Sequence, residues 1–123
     1  MYNIGIDMAT VSRIEKSCQK ESFRNHVFTQ AELDLFFNRE KPKYSSLAAN
    51  FAAKEAFSKA LGTGLSGFSL KDIYIVNDDK GKPTLIAENK AAEIVKEKFG
   101  ECSIHVSLSH EKEYAIAFVI IER

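Results

Sequence analysis

A long helix is predicted by residues Ser45 to Leu61, which read SSLAANFAAKEAFSKAL. The segment is rich in alanine and contains neither glycine nor proline, a composition with high intrinsic helix propensity. Gly62 and Gly64 follow directly and predict the end of the helix, because glycine readily adopts the left-handed conformation that closes helices. The other elements are interpreted around this central helix.

Shorter elements are predicted before the central helix. The apolar residues from Tyr2 to Ile6 predict a strand, and Asp7 is expected at its end, where the sheet gives way to a loop or helix. Helical spacing of apolar residues then predicts an amphipathic helix from Met8 to about Lys20. Thr29 and Glu32 have capping-box spacing and predict the start of a second short helix.

Strands predominate after the central helix. The segments from Asp72 to Val76 and from Thr84 to Ile86 predict a hairpin around the turn sequence NDDKGKP. A helix is predicted from Glu88 to Phe99, and Ile104 to Leu108 and Tyr114 to Ile121 predict two final strands joined by a short polar link. The fold class is therefore α+β, an antiparallel sheet packed with helices in a single domain over residues 1–123.

The last strand is apolar on both faces. Ile116, Phe118 and Ile120 alternate with Ala117, Val119 and Ile121. This pattern is typical of a strand that protein covers on both sides, and self-association of the chain is one way to cover the second side.

Composition excludes several classes of protein. Lysine plus arginine equals aspartate plus glutamate at 17 each, so no net charge favours nucleic acid or a membrane surface. Cys18 and Cys102 lack CxxC spacing, which argues against a zinc site or a disulfide framework. The first residues, MYNIGID, do not resemble a signal peptide, and no apolar run reaches membrane-spanning length. We expect a soluble cytoplasmic protein.

Glu55 is the most informative polar residue of the central helix. Helical geometry places it within about 40° of Ala48 and Phe51, so it shares an apolar stripe and needs a compensating partner. Lys59, one turn later, gives one interpretation, an ordinary surface ion pair. The other is a Mg²⁺ site in which Glu55 and Asp7 are hard oxygen ligands, although Asp7 alone is equally explained as a capping residue.

Two further segments have less specific interpretations. His110 ends the strand sequence HVSLSH and lies on the side of Val106 and Leu108, as a partly buried histidine or a ligand-binding one would. The GTG sequence at Gly62–Gly64 allows backbone N–H groups to approach a phosphate, but it lacks the P-loop pattern.

Several motifs together resemble a known family. They are IGIDM near the start, RIE shortly after it, NFAAKEAFSKALGTG, GKP, and HVSLSHEKEYAIAFVIIE at the end. In this order and over nearly the whole chain, they resemble the holo-acyl-carrier-protein synthases, the small bacterial type of 4′-phosphopantetheinyl transferase. The resemblance implies Mg²⁺-dependent transfer of 4′-phosphopantetheine from coenzyme A to a serine of apo acyl carrier protein, for fatty acid biosynthesis. It also implies a homotrimer with active sites at the subunit interfaces.

The resemblance assigns roles by position in these motifs. It implies metal ligation by Asp7 and Glu55, and it places Lys59 near the transferring phosphate, so that these three residues form the catalytic set. The general base stays open between a metal-bound water and a carboxylate. The residues implied for coenzyme A are Lys59, Gly62, Gly64, Lys82, Pro83 and His110. The residues implied for docking the acidic carrier protein are Arg13, Phe23 and Arg24.

One departure and two alternatives accompany the resemblance. Many relatives have arginine where this chain has Asn50, so a contact made by that arginine is in doubt here. The first alternative is a catalytically silent module of the same fold that binds coenzyme A or a carrier protein. The second is a related transferase acting on carriers of secondary metabolism, which the short chain disfavours.

Overall fold

Five strands and five α-helices make up residues 1–38 and 40–123, the part of the chain that the computed structural model describes. Their order along the chain is β1 (Tyr2–Thr10), α1 (Val11–Ser17), α2 (Glu21–Val27), α3 (Gln30–Phe36), α4 (Tyr44–Leu61), β2 (Ile73–Asn77), β3 (Pro83–Ala87), α5 (Asn89–Phe99), β4 (Ser103–His110) and β5 (Tyr114–Glu122), with a 3₁₀ turn at Leu70–Asp72 before β2.

The strands form two antiparallel sheets. The larger has the order β1-β5-β4, and β2 and β3 form a separate hairpin. Helix α4 lies across the inner face of the larger sheet, against β1 and β5. The core is built from the buried side of that helix and the inward residues of β5, which are Ala115, Ala117, Val119 and Ile121. This arrangement confirms the α+β class.

The contact between β1 and α4 depends on Gly5. A Cβ atom at this position would lie 2.6 Å from the backbone nitrogen of Ala60 and closer still to the carbonyl oxygen of Ala56. Real Cβ atoms essentially never approach other atoms within 3.0 Å, so the strand reaches the helix backbone only because residue 5 has no side chain. The side chain of Asn3, on the same face of β1, donates a hydrogen bond to the carbonyl of Ala60 at 3.3 Å.

Most predicted elements are confirmed, including α4, both hairpins, the left-handed Gly62 and the capping box at Thr29. The start of the chain was predicted wrongly. Asp7 lies within β1 opposite Ala117, and the strand continues to Thr10, which pairs with Tyr114. Helix α1 therefore begins at Val11, because pairing with β5 outweighs the local helical pattern from Met8 onward. Helix α2 was not predicted.

One face of the larger sheet is apolar and exposed. Although β5 is apolar on both sides, only its inner residues are buried within the chain. The outer residues of β1 and β5 face each other in register, as Ile4 with Ile120, Ile6 with Phe118 and Met8 with Ile116. We call Ile4, Ile6, Met8, Ile116 and Phe118 the outer apolar face; their exposed fractions are 62%, 52%, 63%, 38% and 37%. An exposed face of this kind is typical of a surface that another protein covers.

A buried ion pair holds α4 on its other side. The ammonium group of Lys54 donates hydrogen bonds to Oε1 of Glu32 at 2.9 Å and to the carbonyls of Leu70 at 2.9 Å and Ile73 at 2.7 Å. Asn50 donates to the second oxygen of Glu32 at 3.3 Å. Burial lowers the pKa of Lys54, and the negative charge of Glu32 partly offsets that effect. All three donor positions of the ammonium are thus satisfied.

No helix among the described residues combines the length and the apolar character that are needed to cross a bilayer.

Substituting Gly5 tests the contact between β1 and α4. We expect Gly5→Ala to lower the free energy of unfolding by more than about 3 kcal/mol, because a methyl group cannot fit against the helix backbone. Urea denaturation measures the change. The matched control is Gly64→Ala. A Cβ there would meet nothing within 4 Å, so the expected cost is only the strain of an alanine at positive φ. Equal effects of the two substitutions would contradict the packing argument.

Removing Lys54 tests the buried ion pair. We expect Lys54→Met to lower the free energy of unfolding by about 3–5 kcal/mol, because Glu32 would be left as an uncompensated buried charge. Lys98→Met is the control, since within the described part of the chain that exposed lysine bonds only the carbonyl of Leu61, and its effect should be much smaller. A loss for Lys54→Met no larger than the loss for Lys98→Met would show that the pair adds little to stability.

Candidate active site

Asp7 and Lys59 meet where β1 crosses the last turns of α4. Asp7 lies on the same face of β1 as Gly5, two residues further along, and therefore points towards the helix. The ammonium of Lys59 lies 2.9 Å from Oδ1 of Asp7 and donates to the carbonyl of Ile6 at 3.0 Å. Two catalytic candidates that are 52 residues apart in sequence are thus in direct contact.

Glu55 lies one helical turn before Lys59 and is half-buried. Burial raises the pKa of the Glu55 carboxyl, and the negative charge of Asp7 raises it further, against a smaller opposite effect of Lys59. Among the described residues Lys59 forms its ion pair with Asp7 and not with Glu55, so the simple surface pair between Glu55 and Lys59 is not formed.

The donor set fits a divalent cation that also binds a substrate. Asp7 and Glu55 are close enough for their charges to repel, and a shared cation would relieve that repulsion. Within residues 1–38 and 40–123 there is no group of three or more His, Cys, Asp or Glu side chains that could hold a metal. Two carboxylates suit Mg²⁺, which keeps several waters and takes further oxygens from substrate phosphates.

The glycine turn closes the same end of α4. Gly62 has φ 85° and Gly64 has φ 66°, both in the left-handed region that glycine adopts easily. The ammonium of Lys98 donates to the carbonyl of Leu61 at 2.8 Å and thereby satisfies one of the last carbonyls of the helix. The turn begins three residues after Lys59, and the ammonium of Lys98 lies beside it as a second cation.

Two other candidates for coenzyme A binding lie in a separate groove of about 240 Å³. Pro83 and His110 both line it, together with Asn50, whereas Lys82 does not. His110 is exposed, so the interpretation as a partly buried histidine is wrong. The full lining is Phe36, Ser46, Ala49, Asn50, Ile75, Asn77, Gly81, Pro83, Leu108 and His110.

The groove and the carboxylates lie on different sides of α4. Helical geometry places Asn50 about 140° from Glu55 and about 180° from Lys59 around the helix axis. The structure therefore brings Asp7, Glu55 and Lys59 together, and separately brings Pro83 and His110 together. It does not join these two sets within one chain.

The candidates for carrier docking lie in two different grooves. Arg13 and Phe23 line one groove beside β1, α1 and α4, together with Met8. Arg24 lines a different groove, between α2 and α3, where its guanidinium lies 4.6 Å from the centre of the Phe37 ring and bonds the carbonyl of Cys18. Only the first two candidates therefore share a surface.

Sequence reasoning did not identify several polar residues around α4. Lys54 was not identified, and Asn50 was noted only as a departure from the family motif. These two residues are four apart and lie within about 40° on one helix face, a signal of a buried polar stripe that was present in the sequence. Asn77 was missed in the groove, although its pairing with Pro83 follows from the predicted hairpin. Glu32 was predicted only as a capping residue, because its contact with Lys54 joins distant segments.

Comparison with known proteins identifies the family. Residues 3–119 match the 4′-phosphopantetheinyl transferase superfamily. The chain is 48% identical over 122 residues to a holo-(acyl-carrier-protein) synthase of Treponema denticola, an alignment that covers 99% of this chain and 98% of the relative.

Solved structures show the same fold. The holo-(acyl-carrier-protein) synthase of Neisseria meningitidis superposes with a TM-score of 0.86 at 34% identity, covering 98% of both chains. The holo-(acyl-carrier-protein) synthase of Bacillus anthracis, solved in complex with CoA (3′,5′-ADP), gives a TM-score of 0.76 at 38% identity, covering 98% of this chain and 95% of that one. The chain therefore belongs to the 4′-phosphopantetheinyl transferase superfamily and, within it, resembles the holo-(acyl-carrier-protein) synthases over its whole length.

Proposed function

We propose that this protein transfers 4′-phosphopantetheine from coenzyme A to a serine of apo acyl carrier protein, releasing adenosine 3′,5′-bisphosphate. The observation that carries the proposal is the cluster of Asp7, Glu55 and Lys59 at the crossing of β1 and α4, in a chain of this family. Relatives of high coverage bear the name of this activity, and one was solved with CoA (3′,5′-ADP).

The residues of the cluster suit phosphoryl transfer. Asp7 and Glu55 would hold Mg²⁺, which supplies charge stabilisation at the pyrophosphate when it is bound. Lys59 has a long, exposed side chain whose ammonium can donate to a phosphate oxygen and stabilise the charge that develops on the leaving adenosine bisphosphate. The serine oxygen of the carrier forms the new bond to the pantetheine-side phosphorus as the bond to the bridging oxygen breaks, and adenosine 3′,5′-bisphosphate leaves with that oxygen. The serine proton passes to a base, which is either a water molecule at the site or one of the two carboxylates.

We further propose that a complete site requires two copies of the chain, in a homotrimer. Asp7, Glu55 and Lys59 are separated around α4 from the groove with Pro83 and His110, so one ligand that contacts both sets would lie between neighbouring subunits. The outer apolar face supplies a surface that such an assembly would cover.

We also propose a cytoplasmic location for the protein. The unpaired thiols of Cys18 and Cys102 accord with it, because thiols stay reduced in the cytoplasm.

A catalytically silent binding module is the alternative. It would not need a cation site, yet the two carboxylates and Lys59 are placed together. This arrangement favours the enzyme.

Intact mass spectrometry tests the proposed reaction. Purified apo acyl carrier protein is incubated with this protein, coenzyme A and Mg²⁺, and a parallel sample contains a chelator. The expected result is a gain of about 340 Da, the phosphopantetheine arm, only in the sample with Mg²⁺. No gain with several carriers would contradict the enzyme and favour the silent module, and a gain in the chelated sample would contradict the metal dependence.

Replacing Glu55 tests the metal site in the same assay. We expect Glu55→Gln to lower the transfer rate by at least about 100-fold, because the amide is a poor ligand for Mg²⁺.

The raised pKa of Glu55 also affects stability, because the folded protein holds the Glu55 proton more tightly than the unfolded chain does. Ionised Glu55 therefore opposes folding at neutral pH, and this effect vanishes below its unfolded pKa.

The same variant thus has a stability readout. At pH 7 its melting temperature should equal or exceed that of the wild type. Wild-type transfer rates in Glu55→Gln would refute the metal assignment, whereas a lower melting temperature would contradict the account of its pKa.

A charge reversal at Arg13 tests carrier docking. We expect Arg13→Glu to weaken binding of the acidic carrier about three- to tenfold at low ionic strength and to leave coenzyme A affinity unchanged. Surface plasmon resonance with an apo carrier measures the change. Lys90→Glu, an exposed position on α5, is the charge-matched control and should have little effect. Equal losses in the two variants would indicate a general charge effect rather than docking at Arg13.

A further inference from the structure

The ammonium of Lys59 is bound to one of the two carboxylates of the proposed metal site. Its Nζ atom lies 2.9 Å from Oδ1 of Asp7 and 3.0 Å from the carbonyl oxygen of Ile6. The lysine side chain is 55% exposed and that of Asp7 only 19%. A long, exposed side chain is thus held mainly at its charged end, which leaves it free to adopt other positions once that end is released.

The local charges favour one cation at a time on Asp7. Asp7 and Glu55 each contribute a negative charge, and among the described residues Lys59 is the cation that pairs with Asp7. A divalent ion bound by the same two carboxylates would bring two positive charges next to the ammonium. The positive charges of the divalent ion and the ammonium repel each other at short range. The attraction that holds Lys59 on Asp7 would therefore be lost.

We propose that Lys59 and a divalent cation compete for Asp7, and that the ammonium moves from Oδ1 of Asp7 towards the substrate phosphate when the cation binds. The inference rests on the proposed metal site at Asp7 and Glu55. It gives Lys59 a second role, as the counter-ion that stabilises Asp7 before substrate binds.

Competition between Lys59 and the cation also couples the binding of the cation to the binding of coenzyme A. Binding of the cation alone must break the contact between Lys59 and Asp7, whereas coenzyme A offers phosphate oxygens to the released ammonium. The cation and coenzyme A should therefore bind more tightly together than separately, by the same factor for each.

Binding of Mn²⁺ without coenzyme A tests the competition. Electron paramagnetic resonance of free Mn²⁺ gives the dissociation constant of the complex between Mn²⁺ and this protein. We expect Lys59→Met to bind Mn²⁺ about two- to fivefold more tightly than the wild type, the range expected from losing one exposed ion pair. Lys16→Met, an exposed lysine on α1, is the control for net charge and should bind as the wild type does. Equal or weaker binding by Lys59→Met would overturn the inference.

Movement of the ammonium requires its own readout, because the loss of any nearby positive charge strengthens cation binding. In nuclear magnetic resonance, a scalar coupling across the hydrogen bond joins Nζ of Lys59 to Cγ of Asp7. We expect this coupling without Mg²⁺ and its loss at saturating Mg²⁺. A coupling that persists at saturation, or one that is absent before Mg²⁺ is added, contradicts the exchange.

Glu55→Gln separates this inference from the proposed metal site. Wild-type Mn²⁺ affinity in Glu55→Gln would show that the metal site is wrong, and the competition would fall with it. Loss of Mn²⁺ binding in Glu55→Gln, without a gain in Lys59→Met, would leave the metal site standing and refute the competition alone.

Discussion

The close approach of β1 to α4 at Gly5 determines the rest of the structure. The strand lies against the helix backbone at Ala56 and Ala60, a distance that no side chain at residue 5 would permit. Because side chains alternate along a strand, Asp7 then faces the helix while Ile6 and Met8 face outwards. One packing contact thus creates both the polar cluster on the inner side of β1 and the outer apolar face.

Helix α4 contacts three different environments, because each of its sides carries residues of a different chemical type. Small and apolar residues meet the sheet, and Asn50 and Lys54 face Glu32 in a buried polar network. Glu55 and Lys59 lie on the side of Asp7. The buried network satisfies every donor of the Lys54 ammonium, so rotation of the helix would leave polar groups without partners. That constraint fixes the side of the helix on which Glu55 and Lys59 lie.

The sequence predicted local features better than long-range ones. Alanine content and the glycines that follow defined α4, and the capping box at Thr29 was recognised from spacing alone. The extension of β1 to Thr10 was not predictable in this way, because it depends on pairing with Tyr114 near the other end of the chain. The pairing of Lys59 with Asp7 rather than with Glu55 was not predictable for the same reason, because Asp7 and Lys59 are 52 residues apart in sequence. The resemblance to the family implied roles for these residues, and only the fold showed which of them meet.

In the proposed assembly, one coenzyme A molecule contacts two sides of α4 that belong to neighbouring copies of the chain. A crystal structure of the protein with coenzyme A and Mg²⁺ tests it most directly. We expect the pyrophosphate and the metal at Asp7, Glu55 and Lys59 of one copy, with the adenosine end in the groove of Pro83 and His110 of a second copy. Coenzyme A bound entirely within one copy, or a metal away from Asp7 and Glu55, would contradict it.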